Sequence, residues 1–497
     1  MGLLSLFKQD KTKAQHALQR KTYNVMQKRM YEAARSNLVR DIFSGGDIDE
    51  MIESQSSAIL RRAREAYANN DYVKGYISMA CTNIIGHKGI RIQCKSKSDA
   101  LNNKVELSFS RWARRGRCDV TGQLSLIDVQ LSCVRSLLRD GEFFVLKHVI
   151  DGQLQLQLID SGRIDVTKRA TLSNGNKVIN GVELNHYGKP QAYYLVDDDG
   201  AETTRIAAQN VIHGFISEYI GQKRGISTIA TALIRLGLLK EFETAAVDNA
   251  RSNAKSMGFF KKPEGVIDYE QFADRDGEAS DEFSIQTLDD AARFHVIEAG
   301  YDFTGFDAQF PSTNFAPFKE SILKAISSSL GYGVNYINLG NDLKGVSYSS
   351  ARQGLLSERD AWRMLQTLLI DTLMRPVFES WLEVEYASGR LGNISVLSFD
   401  SLIDSVRFQT RAWAWIDPLK DAKGTTESIN NHTISLSQAI LDAGGDPEDT
   451  LNQIAMDNER LKELGIVMQS VPDDNNEMNI QKQIEDGISN AELYQDD

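Results

Sequence analysis

Two helical patterns in the second half of the chain meet at a segment rich in glycine, and few architectures accommodate that order. Phe315, Phe318, Ile322, Ile326 and Leu330 are spaced 3, 4, 4 and 4 residues apart, which puts them on one face of a helix over residues 314–331. Gly331, Gly333, Gly340 and Gly345 then make residues 332–346 read as a flexible loop. The helical period resumes from Tyr348 to about Tyr386, with Ser347 or Ser349 placed to cap a helix over residues 347–387. Pro376 lies inside it and lacks a backbone donor, so a kink is expected near Met374. Trp362, Leu365, Leu369 and Leu373 share one face of this helix and should be buried. Upstream, Ile226, Ile229, Ala230, Leu233, Leu236 and Phe242 give a helix over residues 226–256. Between these helices, residues 257–313 form an irregular acidic insertion that includes Asp274, Asp276 and Glu278.

The first half has a different character. One helical pattern covers about 57–85 and is punctuated by Gly86 and Gly89, and further helices fit about 101–115 and 124–139. Strand patterns such as Phe143–Val149 and Leu154–Ile159 follow, with turns at Asp151-Gly152, Asn174-Gly175 and Asp199-Gly200. Residues 41–225 therefore read as a mixed α+β domain. Residues 388–425 return to it, and residues 426–470 are helical. There Gly444-Gly445 ends one helix, and Asp446 caps the next with Pro447 at its first position.

The formal net charge of −12 argues against a broad nucleic-acid-gripping surface, which needs clustered Lys and Arg. The charge is unevenly spread. In residues 1–40 nine Lys and Arg oppose Asp10 and Glu32 alone, whereas in residues 471–497 eight acids oppose only Lys482. Both ends read as solvated arms. Cys81, Cys94, Cys118 and Cys133 form no C-x-x-C pair and read as reduced core residues. No apolar run is long enough for a membrane span, and the apolar start of the chain gives way to charge at Lys8, so a soluble, non-exported protein with no membrane partner is expected.

Catalytic motifs fail on inspection. Gly188-Lys189 is followed by Pro190, and position 183 is Glu where a phosphate loop requires Gly. Gly331-Tyr332-Gly333 lacks the third glycine and the preceding strand of a dinucleotide site. Gly345-Val346-Ser347 is not followed by Gly at position 349, so there is no nucleophile elbow. The histidines show no zinc-ligand spacing, and His213 beside Val211 and Ile212 reads as structural. Asp197-Asp198-Asp199-Gly200 is better explained as a hairpin turn than as a calcium loop. Arg111, Arg114, Arg115 and Arg117 form the densest basic patch and read as a solvated helix face, with DNA or a neighbouring subunit as the alternative. No catalytic, metal or cofactor residues are assigned.

Several short stretches, taken in order, do carry a resemblance. Arg61, Arg64, Asn69 and Asn70 lead to Asn83-Ile84-Ile85-Gly86, followed by Asp140-Gly141-Glu142-Phe143-Phe144 and Val211-Ile212-His213. Gly221-Gln222-Lys223-Arg224-Gly225, Tyr348-Ser349-Ser350-Ala351-Arg352 and Trp415-Ile416-Asp417-Pro418-Leu419-Lys420 complete the series. Over about residues 57–466 the chain resembles the lambda-type family of tailed-phage portal proteins. Ser347 stands where that family often has Asn.

The resemblance implies an α+β portal fold that forms rings. Its parts would be a wing over 41–225, stem helices over 226–256 and 314–331, a clip over 257–313, a tunnel loop over 332–346, a kinked tunnel helix over 347–387 and a crown over 426–470. It also implies a homo-oligomeric ring, usually a dodecamer, in the virion at a capsid vertex, assembled in the host cytoplasm. Implied partners are the large terminase subunit, the major capsid and scaffolding proteins, a tail adaptor or head-completion protein, and duplex DNA passing through. Asn335, Tyr336, Asn338, Asn341, Asp342 and Lys344 would face DNA from the tunnel loop, and Asp274, Asp276 and Glu278 would form a docking surface. The competing readings are a packaging nuclease or motor, which lacks its phosphate loop, and a minor head protein, which gives no reason for this order of elements.

Overall fold

The computed structural model describes residues 47–465, apart from 198–199, 201, 256–257, 262–301, 306–314, 333, 342–346, 393 and 414–417. The chain divides into two units, one ending at Phe408 and the other beginning at Gln409.

The first unit opens with α1 (Ile48–Asn69) and α2 (Asp71–Ile84). The sequence pattern suggested one helix here. Asn70 instead takes an extended conformation, and its side chain accepts from the Val73 N–H, which ends α1 and caps α2. Strand β1 (Arg91–Gln93) and helices α3 (Asp99–Trp112) and α4 (Leu126–Arg139) follow, the last closed by a Ser125/Asp128 capping box.

Strands β2 (Glu142–Ile150) and β3 (Gln153–Ile159) form a hairpin through Asp151 and Gly152, both with positive φ. A five-stranded antiparallel meander comes next: β4 (Ala170–Thr171), β5 (Lys177–Ile179), β6 (Val182–Leu184), β7 (Pro190–Val196) and β8 (Thr203–Ala207). Strand β9 (Val211–Phe215) returns to pair antiparallel with β2, opposing Phe144 to His213, so the smaller sheet has the order β3-β2-β9. Alternating residues of both sheets, including Phe144, Leu146, Val182, Leu184, Tyr193 and Leu195, fill one shared core.

Helix α5 (Leu233–Lys255) starts seven residues later than the apolar spacing predicted. Residues 226–232 bury Ile229 and Ala230 as expected, but in turns, because Thr228 binds the Leu138 carbonyl through both its N–H and its hydroxyl. Within the segment read as irregular, β10 (Gly258–Lys261) pairs antiparallel with β11 (Asp302–Gly305). Helix α6 (Phe315–Leu330) packs on α5 through Phe242, which lies 5.3 Å from Phe315 and 4.8 Å from Phe318 between ring centroids, and through a 2.9 Å Lys319–Glu243 ion pair.

Within the glycine-bearing segment, Tyr336–Gly340 forms the short helix α7. The long helix that follows is interrupted: α8 (Tyr348–Leu369), a π turn (Ile370–Met374) and α9 (Arg375–Ala387). Pro376 sits in the first turn of α9, and the Arg375 N–H reaches back five residues to the Ile370 carbonyl. The ladder widens just before the residue that cannot donate to it, so the break spans the residues two to six positions on the N-terminal side of the proline. Trp362, Leu365, Leu369 and Leu373 are buried, as their spacing required. Phe109, Trp112, Phe378 and Trp381 make an aromatic cluster beside them, Phe109 meeting Trp381 edge-on at 5.0 Å. Helix α10 (Val396–Ser405) and β12 (Arg407–Gln409), which pairs with β1, close this part of the chain.

The second unit holds α11 (Pro418–Asn430), α12 (Leu436–Asp442) and α13 (Pro447–Glu463). The boundary at Phe408/Gln409 falls inside residues 388–425, the stretch expected to return to the α+β body. Asp446 caps α13, accepting from the Glu448 and Asp449 N–H groups, with Pro447 at the first position. Across α12 and α13 only Pro447 is buried, whereas Leu436, Leu451, Ile454, Met456 and the adjoining Leu464 are exposed.

Candidate functional site

Four of the stretches that stood out in the sequence, those holding Arg64, Asp140–Phe144, Val211–His213 and Gly221–Gly225, converge on one buried junction. Arg224 and Glu142 are each 4% exposed. Nε of Arg224 lies 3.0 and 2.9 Å from the two carboxylate oxygens of Glu142, and Nη2 lies 2.6 Å from Oε1. Arg224 Nη1 donates to the Asn180 carbonyl at 2.8 Å, and Nη2 to that of Ser161 at 3.3 Å. Glu142 also accepts from the Gly225 N–H at 2.9 Å. Burial by itself would raise the Glu142 carboxyl, but Arg224 and His213 outweigh it and hold the group at about 2.

His213 stands 3.0 Å from Glu142 Oε2 through Nε2 and is stacked on Phe144 at 4.2 Å. Burial lowers its pKa despite Glu142, so at neutral pH it is an uncharged donor to Glu142, and its Nδ1 faces the Tyr193 hydroxyl at 3.4 Å. A second network adjoins the first. Asp140 is paired with Arg64 at 2.9 Å and with Arg139 at 2.6 Å, and Arg64 also reaches Asp160 at 2.8 Å. Glycines allow the junction to close. Gly141 has φ +98°, and a Cβ there would collide with the Ile226 backbone, just as one on Gly225 would collide with the Gly141 carbonyl.

The second notable region lies between α6 and α8. The Asn335 side chain accepts from the Ile337 N–H at 3.0 Å, starting α7, while its own N–H donates to Glu358 on α8 at 3.3 Å. Asn338 Nδ2 donates to the other Glu358 oxygen at 2.5 Å. On the other side, the Ser327 hydroxyl of α6 donates to the Val334 carbonyl. Gly354 lets α8 approach, since a Cβ there would overlap the Asn335 amide. An open cavity of about 360 Å³ borders the segment, lined by Ser327, Gly331, Asn335, Tyr336 and Ser357 among others.

Among the described residues no group of His, Cys, Asp and Glu could hold a metal ion. All four cysteines are free and buried, and burial pushes the Cys94 and Cys118 thiols up to about 12. No helix among the described residues is long and apolar enough to cross a membrane.

Comparison with known proteins gives the context. Residues 42–366 match the family model described as phage portal protein, lambda family. The chain belongs to that family. A probable portal protein of Halomonas phage phiHAP-1 is 32% identical over 460 residues, covering 88% of each chain. Among solved structures, a chain in the neck of an empty gene transfer agent particle, computed with C6 symmetry, has a TM-score of 0.43 and 14% identity over 79% of this chain and 94% of its own. A chain of the native gene transfer agent virion has a TM-score of 0.41 at 14% identity, with the same coverage.

In this portal protein, four of the six residues expected to face DNA fall among the described residues. Asn335 and Asn338 are engaged with Glu358, Tyr336 is half-buried beneath Lys324, whose Nζ lies 4.8 Å from the ring centroid, and Asn341 is exposed with φ +48°. Asp342 and Lys344 lie outside the described residues, as do Asp274, Asp276 and Glu278. Arg111, Arg114 and Arg117 are exposed, and Arg115 pairs with Asp128 at 3.3 Å. Glu358 was not singled out from the sequence. A Glu inside a helix carries no local sign that it will be 2% exposed. The one signal was Asn335, a cap residue ahead of Tyr-Ile-Asn-Leu-Gly.

Proposed function

We propose that this portal protein assembles with copies of itself into a closed ring, most simply a dodecamer, at one capsid vertex. Duplex DNA enters through the ring during packaging by terminase and leaves through it at ejection. The observation that carries this reading is the order of elements in a chain of the portal family. Helix α5, the insertion 257–313, helix α6, the segment 332–346 and the interrupted helix α8–α9 correspond to stem, clip, stem, tunnel loop and tunnel helix. Residues 41–225 supply the wing and residues 426–470 the crown.

Exposed apolar side chains support a multi-subunit ring. Leu238 and Val247 on α5, Phe318 on α6, Leu356 and Met364 on α8, and Leu451 and Ile454 on α13 are left uncovered in a single copy. A head-to-tail interface closed by rotation would cover such surfaces on every subunit alike. The charge also suits a conduit. With −12 per chain, the ring repels the phosphate backbone, so DNA can slide where a basic bore would hold it.

In this reading the protein is a structural component of the virion, assembled in the host cytoplasm, and performs no catalysis. The mechanical work comes from the large terminase subunit, because the sequence has no phosphate loop. Asp274, Asp276 and Glu278 in the clip would dock terminase and later a tail adaptor or head-completion protein, while major capsid and scaffolding proteins would hold the wing. Negative-stain imaging and native mass spectrometry of the purified protein test the proposal. Rings with a central hole are expected, and compact monomers at all concentrations would overturn it. Reversing charge at Asp274 and Asp276 should weaken terminase binding while rings still form.

A further inference from the structure

Among the described residues, Glu358 is the one carboxylate that grips the segment between α6 and α8, and no cation is paired with it there. Its two oxygens take one backbone N–H, from Asn335, and one side-chain amide, from Asn338. Both donors are neutral, and no Lys, Arg or His pairs with it among the described residues. Burial raises its pKa, and these two donors only partly offset that. A buried carboxylate with only neutral donors among the described residues is costly to keep ionised, and its two donors would in turn lose their acceptor if it were replaced by an apolar residue. What the pair of hydrogen bonds supplies is position: Asn335 starts α7, Asn338 lies one turn later, and both are tied to the same side chain of the long helix.

We propose that Glu358 is a positioning residue that latches the segment Val334–Asn341 to the long helix and so fixes where the DNA-facing stretch begins. The inference rests on the portal reading above, in which residues 332–346 line the channel. Two features make the latch selective. The segment is held at its start by the Ser327 hydroxyl on the Val334 carbonyl and at its centre by Glu358, so releasing Glu358 leaves the first tie in place. Gly354 keeps α8 close enough for the Asn335 amide to lie against its backbone. The cavity lined by Asn335, Tyr336, Gly354 and Ser357 gives the released segment room to move without unpacking α6. Each subunit of a ring would carry one such latch, and each could be set independently.

The test is hydrogen exchange on the full-length protein, followed by genome retention in proheads. Asn338→Ala removes one donor from a half-buried position, and Glu358→Ala removes the acceptor. Each should speed exchange of the amides of Ile337 to Asn341 about tenfold, as expected for loss of a hydrogen bond to a charged group, with α4 unchanged. The double variant Glu358→Gln with Asn338→Asp exchanges donor and acceptor and should restore slow exchange. Proheads built with Asn338→Ala should package DNA but retain less of it. Unchanged exchange in both single variants overturns the latch, as does failure of the exchanged pair to restore protection. A loosened segment with full genome retention overturns its positioning role. The portal reading itself fails by a different result, the absence of rings from the unaltered protein.

Discussion

Replacing Arg224 by Met asks whether the buried junction holds the α+β body together. The change keeps much of the side-chain length and removes the cation from Glu142, which stays with only His213 and the Gly225 N–H as partners. It also removes the Arg224 donors from the carbonyls of Asn180 and Ser161, the latter keeping the Ile164 N–H. Breaking one side of a buried pair costs about 3–5 kcal/mol, because a charge remains in a dry site. For a unit of this size that is a fall in Tm of about 4–6 °C. Urea unfolding at matched protein concentration measures it without screening the charges. Glu142→Gln alone should be similarly damaging, since it strands Arg224. The double variant should lose less than the sum of the two, by about 2 kcal/mol or more, because neither charge is then left alone. An Arg224→Met loss below about 1 kcal/mol, or strict additivity in the double variant, would refute the reasoning.

The same junction sets an acid response in two steps. Burial holds His213 below its ordinary 6.5, so the unfolded chain takes up that proton first and stability falls as pH drops below 6.5. Glu142, held at about 2 against an ordinary 4.5, contributes fully above 4.5 and loses its contribution as pH falls towards 2. Urea midpoints across this range should flatten in the upper window for His213→Gln and in the lower for Glu142→Gln. Leu369→Ala, at a fully buried position, should cost about 2–5 kcal/mol by the same assay. Pro376→Ala should restore a backbone donor and let the α-helical ladder run through Ile370–Met374, lowering packaged DNA per ring more than it lowers Tm. Gly225→Ala should abolish soluble expression of folded protein, since its Cβ has no room beside the Gly141 carbonyl.

Local signals carried far in this chain, and they failed where tertiary contacts decide. The face made by Trp362, Leu365, Leu369 and Leu373 could be read because helical spacing alone defines it, and the Asp446-Pro447 start of α13 because capping is local chemistry. The break at Asn70 was missed although Asn is a cap residue, because the apolar period runs on through it. The late start of α5 could not be read, since it depends on Thr228 binding a carbonyl ninety residues away in sequence. The junction was half visible. Its members were named in separate stretches, but nothing local announces that Glu142, Arg224 and His213 meet. Glu358 was invisible for the same reason.

At the crossing of Gly141 and Gly225 two main chains touch with no side chain between them. Side chains are the compliant parts of a packed interior, because a rotamer change can absorb a small shift. Here that compliance is absent. A displacement of Ile226 must be carried straight into the Gly141 peptide and along β2, while the Arg224–Glu142 clamp keeps the two strands of chain from sliding apart. The crossing thus works as a stiff mechanical joint at the root of α5, passing load between the long helices and the sheet instead of damping it.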